Sequence, residues 1–244
     1  MRFINSYFLA IILNIETATP LCSVSLAKDG QLLAMMETLE DRSHARLLSV
    51  FIDKVIKKAG ITFNEIDAVA IGKGPGSYTG LRIGVSTAKG MCFASGKPLI
   101  SIGTLDIICR QFILSNNLAK KVLSENTCIC PMIDARRMEV YYALFSDNGN
   151  AITEARAKVI DASTFIPLLE NSVVAFMGTG MPKCREVIDH PNAIFVDDVH
   201  PSAAALAFLS WEAFNNKHFE DTAYFEPFYL KDFVTTVPKK KLTV

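Results

Sequence analysis

The chain has 244 residues, half of them hydrophobic and a fifth charged, and its 25 basic and 25 acidic side chains leave a formal net charge of zero. That composition excludes a disordered chain. It also excludes the broad basic footprint of a protein that grips nucleic acid unaided; if nucleic acid is the substrate, a partner supplies much of the contact surface. The length suits one large domain or two of ordinary size.

Six cysteines are scattered through apolar runs with no C-x-x-C pair. They read as buried free thiols in a reducing compartment, which places the protein in the cytoplasm. Arg2 followed by the apolar run 7–15 loosely resembles a signal peptide, but the run is short and no small-residue cleavage site follows. It is also too short to span a bilayer, so no membrane partner is expected. Residues 1–6 read as a short extension or an upstream start.

Residues 8–15 form a continuous apolar run, the pattern of a central strand buried on both faces. A polar turn, Glu16-Thr17-Ala18-Thr19-Pro20, closes it. Strands are predicted at 22–27 and 31–38, joined by a Lys28-Asp29-Gly30 hairpin turn. An acidic, hydroxyl-rich turn there is either an ordinary polar turn or a phosphate seat.

Residues 43–59 predict an amphipathic helix. Leu47, Leu48, Phe51, Ile52, Val55 and Ile56 fall on one stripe and Gly60 ends it. His44 in its first turn reads as a surface or capping residue.

The stretch 66–94 organises the chain. A short apolar strand at 66–71 runs into Gly72-Lys73-Gly74-Pro75-Gly76-Ser77, which can continue neither strand nor helix. Ser77 or Thr79 can cap the helix that follows, which the pattern starts at Gly80 and stops at Gly96-Lys97-Pro98. Strand, glycine loop and helix N-terminus together suit an anion. The spacing is neither G-x-G-x-x-G nor a P-loop, so a plain tight connection fits equally. Arg82, placed in the first helical turn, opposes the helix dipole and calls for an acidic neighbour or ligand. Gly80, Gly84 and Ala88 share one helix face. Such a stripe of small residues serves close packing on the chain's own sheet or a seam with another protein.

A strand at 98–102 and a helix at 104–114 capped by Thr104 follow. A polar linker, 116–126, leads to a strand at 127–133, a turn holding Asp134, Arg136 and Arg137, and a returning strand at 138–145 that starts with Glu139 nearby. Further predictions are a strand at 159–160, a helix at 163–170, a strand at 172–177 ending in Gly178-Thr179-Gly180, a helix at 182–189, a strand at 193–196 and an alanine-rich helix at 201–215. The segment 226–232 is apolar enough to dock on something, and Lys239–Lys241 reads as a solvated run. Each half opens with antiparallel strands and passes to alternating strands and helices, so two similar α/β halves facing a cleft are expected.

Four segments then carry a resemblance: I-L-N-I-E-T-A-T-P (12–20), G-K-G-P-G-S-Y-T-G-L-R-I-G (72–84), I-D-A-R-R-M-E-V-Y (133–141) and E-P-F-Y-L-K (226–231). In this order and spacing they resemble the TsaB (YeaZ) family, also described as glycoprotease-like or peptidase M22-like. The likeness runs from about Leu9 to Asp232. It implies the actin/Hsp70/sugar-kinase fold, with an N-terminal subdomain over 1–103 completed by the 201–216 helix, a C-terminal subdomain over 104–200 and a tail over 217–244.

The resemblance further implies a non-catalytic subunit in the making of N6-threonylcarbamoyladenosine at position 37 of tRNAs that read ANN codons. The expected partners are a TsaD-type transferase and a TsaE-type ATPase, with tRNA reached through the complex and a homodimer possible when the chain is alone. The implied partner surface is the helices at 43–59 and 79–94, with His44, Leu47, Leu48, Phe51, Gly80, Arg82, Gly84 and Ala88 as its residues. No cofactor of its own is implied, though ATP or ADP can sit at the partner interface. The phosphate-loop candidates are Glu16, Thr17, Thr19, Gly74, Gly76, Ser77 and Thr79. The sequence departs from the family pattern at Glu16-Thr17, where Asp-Thr is usual, and in its longer N-terminus.

The transferase relatives hold a metal through H-x-x-x-H. This sequence has only His44, His190, His200 and His218, and no two are one helical turn apart. It contains neither a G-x-S-x-G elbow nor H-E-x-x-H, so no metal site is expected. The competing readings are a free-standing nucleotide-dependent ATPase or kinase of the same fold and, behind it, a metallopeptidase.

Overall fold

The computed structural model describes residues 9–231, apart from 41–42, 116–118, 120 and 125. The expected extension at 1–6, positions 116–118, 120 and 125 of the expected linker, and the 239–241 run lie outside them.

The first half is built on β1 (Ile11–Glu16), β2 (Cys22–Lys28), β3 (Gln31–Thr38), β4 (Ala68–Gly72) and β5 (Leu99–Ile102), in the sheet order β3-β2-β1-β4-β5. β1 runs antiparallel to β2, with Ile11 opposite Lys28, and parallel to β4, with Ile12 beside Ala68. Asp29 and Gly30 take φ of 52° and 76°, the left-handed pair that suits the twist of a tight hairpin.

The second half is built on β6 (Thr127–Asp134), β7 (Glu139–Tyr142), β8 (Arg156–Val159), β9 (Val173–Met177) and β10 (Ala193–Val196). Counted from the hairpin edge its order is β8-β7-β6-β9-β10, the order of the first sheet repeated. Here too the central strand is antiparallel to its hairpin partner and parallel to the next strand inward.

The helices are α1 (His44–Ala59), α2 (Tyr78–Ser95), α3 (Thr104–Leu114), α4 (Ile166–Leu169), α5 (Met181–Arg185) and α6 (Ala203–Asn215). α1 and α2 cover one face of the first sheet. Leu48, Phe51, Ile52 and Val55 of α1 and Val85 and Ala88 of α2 pack on Leu13, Ile15, Val24 and Leu26. Each such Val, Leu, Ile or Phe side chain, fully buried, contributes about 1.5–3 kcal/mol.

The opposite face of that sheet is closed by α6, which returns from the far end of the chain. The alternation in β2 explains how. Val24 and Leu26 point to the α1/α2 core, whereas Ser23 and Ser25 meet α6: the Ser25 hydroxyl donates to the Ala203 carbonyl at 2.8 Å, and Ser23 Oγ accepts from the Ala203 amide at 3.0 Å. Ser210 of α6 donates to buried Asn14 at 2.6 Å. Thus the buried polar residues on this face of β1 and β2 are each given a partner.

Several predicted bounds change. The short helices expected at 163–170 and 182–189 shrink to α4 and α5, and the 159–160 strand becomes β8 over four residues. Gly103, not Thr104, is the N-cap of α3; Thr104 is its first helical residue, with a buried hydroxyl that has no partner among the described residues. α2 starts at Tyr78, two residues earlier than the pattern suggested. Arg82 therefore stands in the second turn, where the helix dipole is weak.

Candidate functional site: the cleft between the two halves

The turn after β1 folds back onto the start of α2. The Thr17 hydroxyl donates to the Gly80 carbonyl at 2.9 Å, and the Ser77 amide donates to the Ala18 carbonyl at 2.7 Å. The approach leaves no room for side chains on that face of α2. A Cβ at Gly80 would lie 2.1 Å from the Thr17 carbonyl oxygen, and one at Gly84 would lie 2.2 Å from Thr17 Oγ1. The small-residue stripe is an internal seam.

Glu16 points the same way, inward. Its Oε1 accepts the Ala18 amide at 2.6 Å, its Oε2 has no partner among the described residues, and the carboxyl packs against Gly72. Burial, partly offset by the Ala18 and Thr17 amides, pushes its pKa from 4.5 to about 7.

Between the halves lies a cleft of about 700 Å³. Thr19, Ser77 and Thr79 line it from the first half and Asp134, Arg136 and Thr179 from the second. Ser77 caps α2, accepting the Gly80 amide at 3.2 Å.

The second wall is held by one lysine. Lys183 of α5 pairs with Asp134 and donates to the carbonyls of Arg137 at 2.7 Å and Glu139 at 2.6 Å, so its three N–H bonds all have acceptors. Arg136 and Arg137, with φ of 70° and 48°, make the tight turn around it. The Asp134 amide donates to Thr179 Oγ1 at 3.3 Å.

The C-terminal segment forms the rim. The Phe228 amide donates to the Lys73 carbonyl at 2.8 Å, the Tyr229 ring lies 5.1 Å from that of Tyr78, and Lys231 pairs with Glu139 of the other half. Arg82 lies over the Tyr78 ring at 5.4 Å and donates to its hydroxyl at 3.3 Å. It has no carboxylate partner among the described residues, so the acidic side chain expected beside it is replaced by an aromatic face.

The expected site residues therefore divide. Thr19, Gly76, Ser77 and Thr79 come together on the cleft, whereas Glu16, Thr17 and Gly74 do not line it. Of the expected partner surface, Leu48, Phe51, Gly80, Gly84 and Ala88 are buried within the chain's own core, so they cannot present a face to another protein. His44, bonded to the Thr19 carbonyl at 2.9 Å, and Leu47 are half-buried, and Arg82 is exposed. Apolar side chains that do project from these helices were not singled out by the sequence: Val50 is 40% exposed and Phe93 87%.

A metal–nucleotide pair gripped by facing carboxylates does not fit these walls. Glu16 is buried away from the cleft and Asp134 is neutralised by Lys183. Among the described residues no group of three or more His, Cys, Asp or Glu side chains is placed to hold a metal ion. No helix among them is long and apolar enough to cross a membrane.

Two sheets of one repeated strand order, with helices and a cleft between them, define the actin/Hsp70/sugar-kinase class of fold. Residues 36–239 match the family described as TsaD: tRNA N6-adenosine threonylcarbamoyltransferase. The chain is 30% identical to the tRNA threonylcarbamoyladenosine biosynthesis protein TsaB of Haemophilus influenzae over 92% of this chain and 94% of that one. It is 37% identical to the protein of the same name from Escherichia coli over 58% of this chain and 57% of that one. The solved structure of YeaZ from Pseudomonas aeruginosa superposes with a TM-score of 0.76 at 23% identity, covering 91% of this chain and all of that one. The chain belongs to the TsaB/YeaZ family.

Proposed function

We propose that the protein is a non-catalytic subunit in the biosynthesis of N6-threonylcarbamoyladenosine in tRNA, binding and activating a TsaD-type transferase. A single contrast carries this reading. The chain matches a transferase family over most of its length, yet its four histidines include no pair one helical turn apart. The carboxylates nearest the cleft are likewise committed internally. A relative that keeps the fold and lacks the means to hold the metal is suited to support the transferase. A TsaE-type ATPase is the expected third component, and the tRNA is reached through the assembly.

The proposed contact is the outward face of α1 and α2, including Leu47, Val50, Ser86 and Phe93. Val50 and Phe93 are large apolar groups left in water, which suits an interface core. Charge placed there is expected to abolish binding without unfolding the chain. Val50→Glu combined with Ser86→Glu tests this against a TsaD-type partner, with thermal melting as the control.

The deciding experiment is an omission assay. The threonylcarbamoyl-AMP synthase, transferase, ATPase, tRNA, threonine, bicarbonate and ATP are mixed with and without this protein, and the modified adenosine is quantified by mass spectrometry. Modification that needs both this protein and the transferase supports the reading. Equal modification without this protein overturns it.

A further inference from the structure

A second cavity, of about 360 Å³, opens where the loop after β4, the end of β5, the start of α3 and the last turns of α6 meet. It shares no lining residue with the cleft. Ionisable side chains of both kinds line it: Lys73 and His218 as donors, Asp106 and Glu212 as carboxylates. None of the four forms an ion pair among the described residues, and the side chains of Lys73, Glu212 and His218 have no hydrogen bond among them either. Asp106 is held from its own helix. Its carboxyl accepts its own amide and lies so close to Gly103 that a Cβ there would sit 2.2 Å from Oδ2. Burial raises the Asp106 pKa, while its own amide and the charge of Lys73 lower it. Lys73 and Asp106 therefore act on each other across the cavity without pairing.

Opposite charges that share a partly buried cavity attract more strongly than in water, so a pair free to close would close. Here the carboxyl is fixed against Gly103 and the ammonium comes from a separate loop. Charges of both signs held apart in one small space are the complement of a small ligand that carries both. The rest of the lining agrees. Ile102, Leu209 and Ala213 are apolar, and no Phe, Tyr or Trp side chain among the described residues lines the cavity, so a base finds no ring to stack on. No group of three or more His, Cys, Asp or Glu side chains among those residues is placed to hold a metal ion. We propose that this cavity binds a free α-amino acid with a small side chain. Its carboxylate meets Lys73 and His218, its ammonium meets Glu212 and Asp106, and its side chain lies against Leu209 and Ala213. No part of this rests on the tRNA reading above.

The test uses the full chain alone at pH 7, so it fails independently of the omission assay. L-Alanine, L-valine and L-threonine are titrated and followed by amide chemical shifts, beside two analogues that each lack one charge. Alaninamide keeps the ammonium and loses the carboxylate; N-acetylalanine does the reverse. The amino acids are expected to bind, with each analogue at least about tenfold weaker than alanine. The variants then separate the two ends. Lys73→Met should weaken alanine about tenfold and leave alaninamide where it was, and Glu212→Gln should weaken alanine by a similar factor and leave N-acetylalanine where it was. A merely structural effect would move all three ligands together. Lys158→Ala, on exposed β8, should change nothing, and melting curves confirm that each variant is folded. The proposal is overturned if none of the three amino acids binds. It is equally overturned if the one-charge analogues bind as well as alanine, or if binding is indifferent to Lys73→Met and Glu212→Gln.

Discussion

After β1 the chain turns at residues 16–19 into a bed of glycines; after β6, the same place in the repeated strand order, it turns at residues 134–137 around a lysine. The first turn is closed by sterics. Backbone and small side chains meet at van der Waals distance, and the carboxylate that begins the turn is buried with one oxygen unpartnered among the described residues. The second is closed by charge, with an ammonium satisfying a carboxylate and two carbonyls at the surface. One architecture thus gives the same cleft one wall closed by packing and one closed by charge. The difference can be broken from either side.

The largest effect is expected in the glycine seam. Gly80→Ala drives a methyl into the Thr17 carbonyl, which has no flexible group to move aside, and should destabilise the protein by about 3 kcal/mol or prevent folding. Urea denaturation measures it. A loss below about 1 kcal/mol would mean that the turn is softer than its packing implies.

Glu16 gives the next effect, with a sign fixed by its environment. Its pKa is raised on folding, from 4.5 to about 7, so the native state favours the protonated acid. The associated stability is complete below pH 4.5 and is lost as pH rises through 7, a loss of about 3 kcal/mol. Glu16→Gln should remove that dependence and stabilise the protein at pH 8 relative to wild type. Denaturation midpoints of both proteins from pH 5 to 8 check this; parallel curves would show that Glu16 titrates normally.

On the other wall, Lys183→Met removes the ammonium from Asp134 and from the Arg137 and Glu139 carbonyls, leaving Asp134 the Arg136 amide and Glu139 the Ala135 amide. It should lower stability by about 1–2 kcal/mol, with faster amide exchange in the 134–139 turn. Unchanged exchange there would show that the turn holds its shape without the ammonium. The smallest effect belongs to Lys231→Ala at the rim, where a partly exposed ion pair contributes about 0–1 kcal/mol and should weaken at high salt. A salt-independent loss would point to packing, not charge.

The sequence revealed most of the fold because periodicity reports burial. The α1 stripe, the doubly buried β1 and the alternation in β2 were all legible. Periodicity also explains why Leu48, Phe51, Gly80, Gly84 and Ala88, singled out on α1 and α2, lie inside: an apolar stripe and a small-residue stripe mark what is buried, and both face this chain's own sheet. What it missed is long-range. Lys183 acts on residues 44 to 49 positions away, and Tyr78 meets Tyr229 across the molecule. Neither has a local signature, although the sequence placed Asp134, Arg136, Arg137 and Glu139 together at one charged turn. Glu16 marked the right turn, but no pattern reveals which way a carboxylate points.

The return of α6 to the first sheet has a consequence for synthesis. The face of that sheet carrying Asn14, Ser23 and Ser25 finds its cover only in residues 203–215, after the whole second half has been made. On the ribosome the second half can condense while the first is still an open, half-covered sheet with its β3 edge in water. The lobe begun first is completed last, and a chain released short of α6 exposes the surface by which quality control recognises an unfinished protein.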